Sequence, residues 1–218
     1  HNYLSKLLKW QETKFLDKNL SQSDSFFIIG ESHALTSHWV NIDFKNKNFL
    51  GRSFLVKGVK QWHLGNLDYN KYKNKFETIF KSLEKKSNIL LAIGEIDCRF
   101  DDGIIKYKNK NPEKNINHII ENTIKNYLNY IQKLNKSFSH EIIIQGVPCP
   151  NINLNNLHKD KRNELIDLIR NFNFQLMNKS KDMDFGFLDV YKLTDRGDGR
   201  SNKVWHVDDI HISAEGVQ

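Results

Sequence analysis

Short apolar runs alternate along this chain with longer stretches whose apolar residues recur every three or four positions. Phe26 to Ile29, Phe54 to Val56, Ile89 to Ile93, Glu141 to Gln145 and Phe185 to Asp189 read as strands buried on both faces. Tyr69 to Lys86, Lys114 to Leu134 and Lys161 to Asn178 read as amphipathic helices. Such alternation predicts a mostly parallel five-stranded sheet covered by helices, a three-layer α/β/α architecture. Ahead of it, Leu4, Leu7, Leu8, Phe15 and Leu16 fall at helical spacing. Residues 1–22 therefore read as a leading helix, or as the end of an upstream region, and residues 23–218 as one domain. Only 3 prolines occur in 218 residues, and neither a Gly/Ser-rich linker nor an internal repeat divides the chain.

Composition narrows the function. With 33 Lys+Arg against 26 Asp+Glu the formal charge is +7. The lysines are interspersed with asparagine, as in Lys71-Tyr72-Lys73-Asn74-Lys75, so they read as solvated surface and not as a nucleic-acid patch. No apolar run approaches the ~20 residues of a membrane span. The first residues lack the apolar stretch of a secretory signal, which favours the cytoplasm unless a leader lies upstream. Cys98 and Cys149 are too few for a disulfide scaffold or a Cys-rich zinc site. A histidine site is the metal option that stays open, and the nearest pairs, His33/His38 and His206/His211, are five apart, a poor fit to the i, i+4 spacing that puts two ligands on one helix face. No metal or cofactor is expected.

In a parallel sheet ligands bind beyond the carboxyl ends of the strands. The first strand is followed by Gly30-Glu31-Ser32-His33, the third by Gly94-Glu95-Ile96-Asp97-Cys98-Arg99, and the chain ends near Trp205-His206-Val207-Asp208-Asp209-Ile210-His211. A serine nucleophile needs a base within hydrogen-bond reach, and the base needs a carboxylate to hold its tautomer. Ser32, His211 and Asp208 supply the three parts. Gly30 allows a sharp turn off the strand, and a helix after it would aim its N-terminal amides at an oxyanion.

These residues resemble the sequence blocks of the SGNH/GDSL hydrolases, esterases and lipases on a flavodoxin-like three-layer fold. Gly30-Glu31-Ser32 is similar to the Gly-Asp-Ser block and Asp208-Asp209-Ile210-His211 to the Asp-x-x-His block. The resemblance implies a serine esterase or O-acyltransferase working through an acyl-enzyme. Ser32 is then the nucleophile, His211 the base and Asp208 its partner. Oxyanion donors come from the Ser32 amide and Gly65, with Gly58 a weaker match for that glycine. Where the family has Gly-x-Asn-Asp this chain has Gly94-Glu95-Ile96-Asp97, so Ile96 replaces a donating Asn, and Asn66 or Arg99 is expected to compensate. His33, His63, Glu95, Asp97 and Trp205 are expected to line the substrate cleft. Gly-Glu-Ile-Asp-Cys-Arg is also similar to a branch found in surface-carbohydrate settings, which implies an O-acetyl group on a sugar as substrate. Two rival readings are a non-catalytic carbohydrate-binding module and a metallohydrolase drawing on His33, His38, His63, His206 or His211. Cys98 and Cys149, each just after a strand, are expected to be neighbours.

Overall fold

Isoleucine-rich runs with no polar face belong at the centre of a parallel sheet, where both sides are covered. The computed structural model describes residues 25–152 and 158–213, so the expected helix over 1–22 lies outside the described residues. Within them β1 (Ser25–Gly30), β4 (Asn88–Ala92) and β5 (Glu141–Gln145) run parallel side by side. β3 (Lys47–Leu55) flanks β1, and β6 (Gly186–Leu188) flanks β5. The sheet has six strands, not the expected five. The addition is β2 (Asn41–Phe44), antiparallel to β3 at the edge, which gives the order β2-β3-β1-β4-β5-β6.

The hairpin turns on Lys45 and Asn46, both left-handed with φ of 51° and 60°. Two left-handed residues make the turn type that suits the twist of paired strands. Glycine usually marks it, and its absence here hides the turn from the sequence pattern. The same hairpin extends β3 back to Lys47, well before the apolar run at Phe54.

Connections explain which face each helix covers. The steps β3→β4, β4→β5 and β5→β6 all move the same way across the sheet, so right-handed crossovers lay their helices on one face. These are α2 (Lys71–Ser82), α4 (Ile116–Asn135) and α5 (Lys159–Asp182), preceded by the short α1 (Gln61–Gly65) and α3 (Ile104–Lys110). Phe76 and Phe80, Ile124 and Leu128, and Phe172 and Leu176 meet Ile29, Leu91 and Ile144 there in the main core. The step β1→β3 runs the opposite way. Its 3-10 helix, Ser32–Ser37, therefore lies on the other face, where Ala34 packs with Phe26, Ile28, Leu90 and Ala92. This reversal makes the carboxyl end of β1 a topological switch point, the place where open α/β sheets bind ligands.

Asn70 and Asn115 start α2 and α4 by accepting the first free amides, those of Tyr72 and Lys73 and that of Asn117. The long helices begin and end within a few residues of their expected limits. α1, α3 and α6 (Val190–Thr194) were not expected, because five to seven residues show no helical period.

Candidate active site

β1 ends at Gly30, a position where a Cβ would sit 2.1 Å from the Ala92 carbonyl oxygen on β4, so that no side chain fits there. The chain then tightens into the 3-10 helix, with Glu31 as its N-cap. Glu31 is buried; its carboxylate accepts from the His33 amide at 3.4 Å and from His33 Nδ1 at 2.8 Å, and its Oε2 lies 2.9 Å from Ser32 Oγ, whose single proton can go there or to His211 but not to both. Burial alone would raise this carboxyl; the His33 charge and the bonds from His33 and Ser32 outweigh it and hold the group below its ordinary value.

The second loop forms a small hairpin at the other end of the chain. Val207 donates its amide to the His211 carbonyl at 2.9 Å, and His206 bridges to Ile212. At its tip Asp208 Oδ1 accepts the amides of Ile210 at 2.8 Å and His211 at 2.7 Å, a side-chain turn that Asp forms readily. That fold brings His211 Nδ1 to 2.9 Å from Asp208 Oδ2. His211 Nε2 in turn lies 2.8 Å from Ser32 Oγ, 179 positions away. With the Nδ1 proton given to Asp208, Nε2 of the neutral ring accepts from the serine. Burial lowers the His211 pKa, the His33 charge lowers it further, and the opposing pull of Asp208 does not restore it. Burial also works to raise Asp208, but the two amides and His211 hold it below the ordinary carboxylate value. The arrangement can therefore take a proton from Ser32 and hold it.

Other expected site residues are engaged elsewhere. A Cβ on Gly65 would lie 2.8 Å from the Tyr127 amide nitrogen, so this glycine serves the close packing of α1 on α4. Asn66 Oδ1 accepts the Asp68 amide at 3.2 Å. Gly65 and Asn66 line a groove whose lining includes none of Ser32, Asp208 and His211. Gly58, with φ of 74°, is the glycine in the loop directly after β3. Arg99 spends its guanidinium on Glu95, with Nε at 2.8 Å and Nη2 at 2.7 Å from Oε2. Asp97 is buried and holds the first turn of α1 through the amides of Gln61 at 2.7 Å and Trp62 at 3.2 Å; burial pushes it up to about 7 against those two bonds. Ile96 is buried and offers no donor. His63 accepts the Lys60 amide at 3.1 Å and stacks on Tyr72, and burial with nearby Lys60 pushes it down to about 4. Trp205 is half-buried beside the hairpin, its carbonyl bonded to the Ser213 amide.

Of the histidines of the metal reading, His33 and His211 come together, with ring centroids 5.0 Å apart, but the ring nitrogens of both are engaged by protein groups. His38 Nδ1 accepts the Ser53 amide at 3.1 Å, and His206 Nδ1 meets Ser201 Oγ at 2.9 Å. Among the described residues the group that comes together is Glu31, His33 and Glu95, and both ring nitrogens of His33 are engaged, Nε2 by the Ile210 carbonyl at 3.1 Å. Cys98 and Cys149 are free and buried in the segments that follow the adjacent strands β4 and β5, and burial raises both thiols, Cys149 to about 12. The bond from His33 to Ile210 was missed by sequence reasoning. Glu31 and His33 two apart were its one visible sign.

No family model and no curated protein sequence matches the chain. Solved structures do match. A GDSL-like lipase from Bacteroides thetaiotaomicron is 15% identical with a TM-score of 0.55, covering 96% of this chain and 92% of its own. An extracellular lipase from Streptomyces rimosus is 12% identical with a TM-score of 0.54, covering 90% of this chain and 95% of its own. At such identities the likeness is one of fold.

Proposed function

We propose that this chain, whose fold is that of the SGNH/GDSL hydrolases, is a serine esterase with Ser32, His211 and Asp208 as its catalytic groups. The observation that carries the reading is the unbroken line from Ser32 Oγ through His211 to Asp208, at 2.8 Å and 2.9 Å. Ser32 Oγ attacks the ester carbonyl carbon while its proton passes to His211 Nε2. Asp208 stabilises the imidazolium that results. The tetrahedral intermediate collapses, His211 returns the proton to the departing alkoxide, and an acyl-enzyme is left. Water then attacks with His211 as base and releases the acid; an alcohol in place of water would make the reaction an acyl transfer.

The Ser32 amide, at the start of the 3-10 helix, is the first donor to the oxyanion. Ile96 contributes none, and one missing donor costs about 2.7–4 kcal/mol in the transition state. We therefore read the enzyme as slower than a relative carrying Asn in that position.

For the substrate we favour an O-acetyl group on a carbohydrate. The reading rests on the Gly94 to Arg99 motif; a groove of about 800 Å³ between α1, α3 and α4, lined by Asp97 but by none of the three catalytic groups, would hold sugar units removed from the ester. Its rim carries the exposed rings of Trp62 and Tyr107, and its walls the carboxamides of Asn66, Asn122 and Asn126. Aromatic faces and amides suit the apolar faces and hydroxyls of sugars. The test is labelling by a fluorophosphonate and turnover of p-nitrophenyl acetate, followed by acetylated sugars. Labelling that disappears in Ser32→Ala supports the reading; an unlabelled wild type with no ester turnover rejects it in favour of a carbohydrate-binding module.

A further inference from the structure

His33 faces two acceptors. Nδ1 lies 2.8 Å from Glu31 Oε1 and Nε2 lies 3.1 Å from the carbonyl oxygen of Ile210. A carbonyl has no proton to give, so Nε2 donates to Ile210, and the remaining proton is shared between Nδ1 and Glu31 Oε1. Although burial works against both charges, the Glu31 carboxylate raises His33 to about 9 and His33 holds Glu31 below its ordinary value, which puts that proton on the ring and makes it an imidazolium. The peptide unit it holds is the one between Ile210 and His211, whose N–H donates to Asp208 Oδ1 at 2.7 Å. A hydrogen bond to the carbonyl side of a peptide strengthens the donor on its other side. Bonds therefore run in a chain from Glu31 through His33, the Ile210–His211 peptide, Asp208 and His211 to Ser32, whose Oγ lies 2.9 Å from the Glu31 carboxylate where the chain began.

We propose that His33 is a positioning residue, a charged clamp that seats the hairpin of the base on the turn of the nucleophile and keeps His211 a neutral base. The proposal rests on the catalytic reading of Ser32, His211 and Asp208. Its electrostatic part follows from what surrounds each ring. His211 faces Ser32, Asp208, Glu31 and His33, whose ring centroid is 5.0 Å away, with His206 close by. His33 faces Glu31, His211, His206 and Glu95, the last already paired with Arg99. Without the His33 charge, burial alone would oppose the two carboxylates, and His211 would hold a proton more readily. With the clamp charged, taking up a proton on His211 sets a second cation beside the first, and the ring stays neutral until a substrate proton arrives.

Two measurements separate the parts. On ¹⁵N-labelled wild-type protein, the ring nitrogens of His33 should both carry protons from pH 5 to pH 8; a singly protonated ring in that range overturns the clamp whatever the activity. In kinetics, His33→Ala should lower kcat on p-nitrophenyl acetate about a hundredfold, with KM within about threefold, as expected when positioning and not binding is lost. The paired variant Glu31→Gln/His33→Gln keeps a donor and an acceptor at each position without charge. It should hold most of kcat at its optimum, while the acid limb of kcat/KM moves up by about one pH unit. An unmoved limb in a folded paired variant overturns the electrostatic role, and wild-type kcat in His33→Ala overturns the positioning role. Should His33→Ala fail to fold, the paired variant and the spectrum still decide. A wild type that is neither labelled by fluorophosphonate nor active defeats the serine-hydrolase reading instead, and the ring spectrum distinguishes the two failures.

Discussion

Two neighbouring strands end in the same way and are put to opposite uses. β1 and β4 each run into a glycine, then a glutamate, then a 3-10 helix: Gly30-Glu31-Ser32-His33 and Gly94-Glu95-Ile96-Asp97. In the first turn the glutamate bends back to cap its own helix, and the next two residues are a serine in the cleft and a histidine bonded to the far end of the chain. In the second the glutamate pairs with Arg99 while its carboxylate lies near Glu31 and His33, Ile96 goes into the core, and Asp97 fastens α1. On the proposed reading the first turn supplies the nucleophile, and the second holds mainly scaffold. The local device is common to both; what differs is the side chain each delivers and what tertiary neighbour waits for it.

Substitutions should keep these roles apart. The largest effect is expected at Ser32: Ser32→Ala should lower ester turnover by several orders of magnitude and abolish fluorophosphonate labelling, with the melting temperature little changed. Next comes the base hairpin. Asp208→Asn should cost about a thousandfold or more in kcat by removing the carboxylate that orients and stabilises His211. Asp209→Asn, at an exposed neighbour, should cost less than about threefold, and equal losses would break the assignment.

The second turn should answer in stability and not in rate. Asp97→Ala leaves the Gln61 and Trp62 amides without their acceptor and should lower unfolding free energy by about 1–3 kcal/mol, read by denaturant titration. The two turns also titrate apart. Asp97, raised from 3.8 to about 7, contributes stability that is complete below 3.8 and lost as pH rises through about 7. His33, raised from 6.5 to about 9, contributes stability that is complete below 6.5 and lost as pH rises through about 9. Melting temperature should therefore fall in two stages as pH rises, one between 3.8 and about 7 that is missing in Asp97→Asn and one between 6.5 and about 9 that is missing in His33→Gln. Glu31 works on the acid side, its contribution present above 4.5 and lost as pH falls through its lowered value. The smallest effect is expected at Arg99: its guanidinium is given to Glu95 in a part-exposed pair, and Arg99→Ala should change kcat less than about threefold.

Much of this could be read from the chain because it is local. Buried strands are recognisable by unbroken Ile and Phe runs, the long helices by their period, and the right-handed connection rule turns that order into one parallel sheet with its cleft at the strand ends. Ser32 and the pair Asp208 and His211 stood out for the same reason, each defined within a few residues. Distance along the chain is what concealed the rest. Gly65 looks like a glycine freed for an oxyanion, yet its lack of a Cβ serves the Tyr127 backbone 62 positions later. Arg99 is a different case: its partner Glu95 is only four residues away, and what the spacing does not show is which way the two side chains turn. Composition and periodicity determined the layers, the strand ends and the residue types gathered there. Only the tertiary structure decided which donor meets which acceptor, because a hydrogen bond depends on tenths of an ångström and on directions that a sequence does not carry.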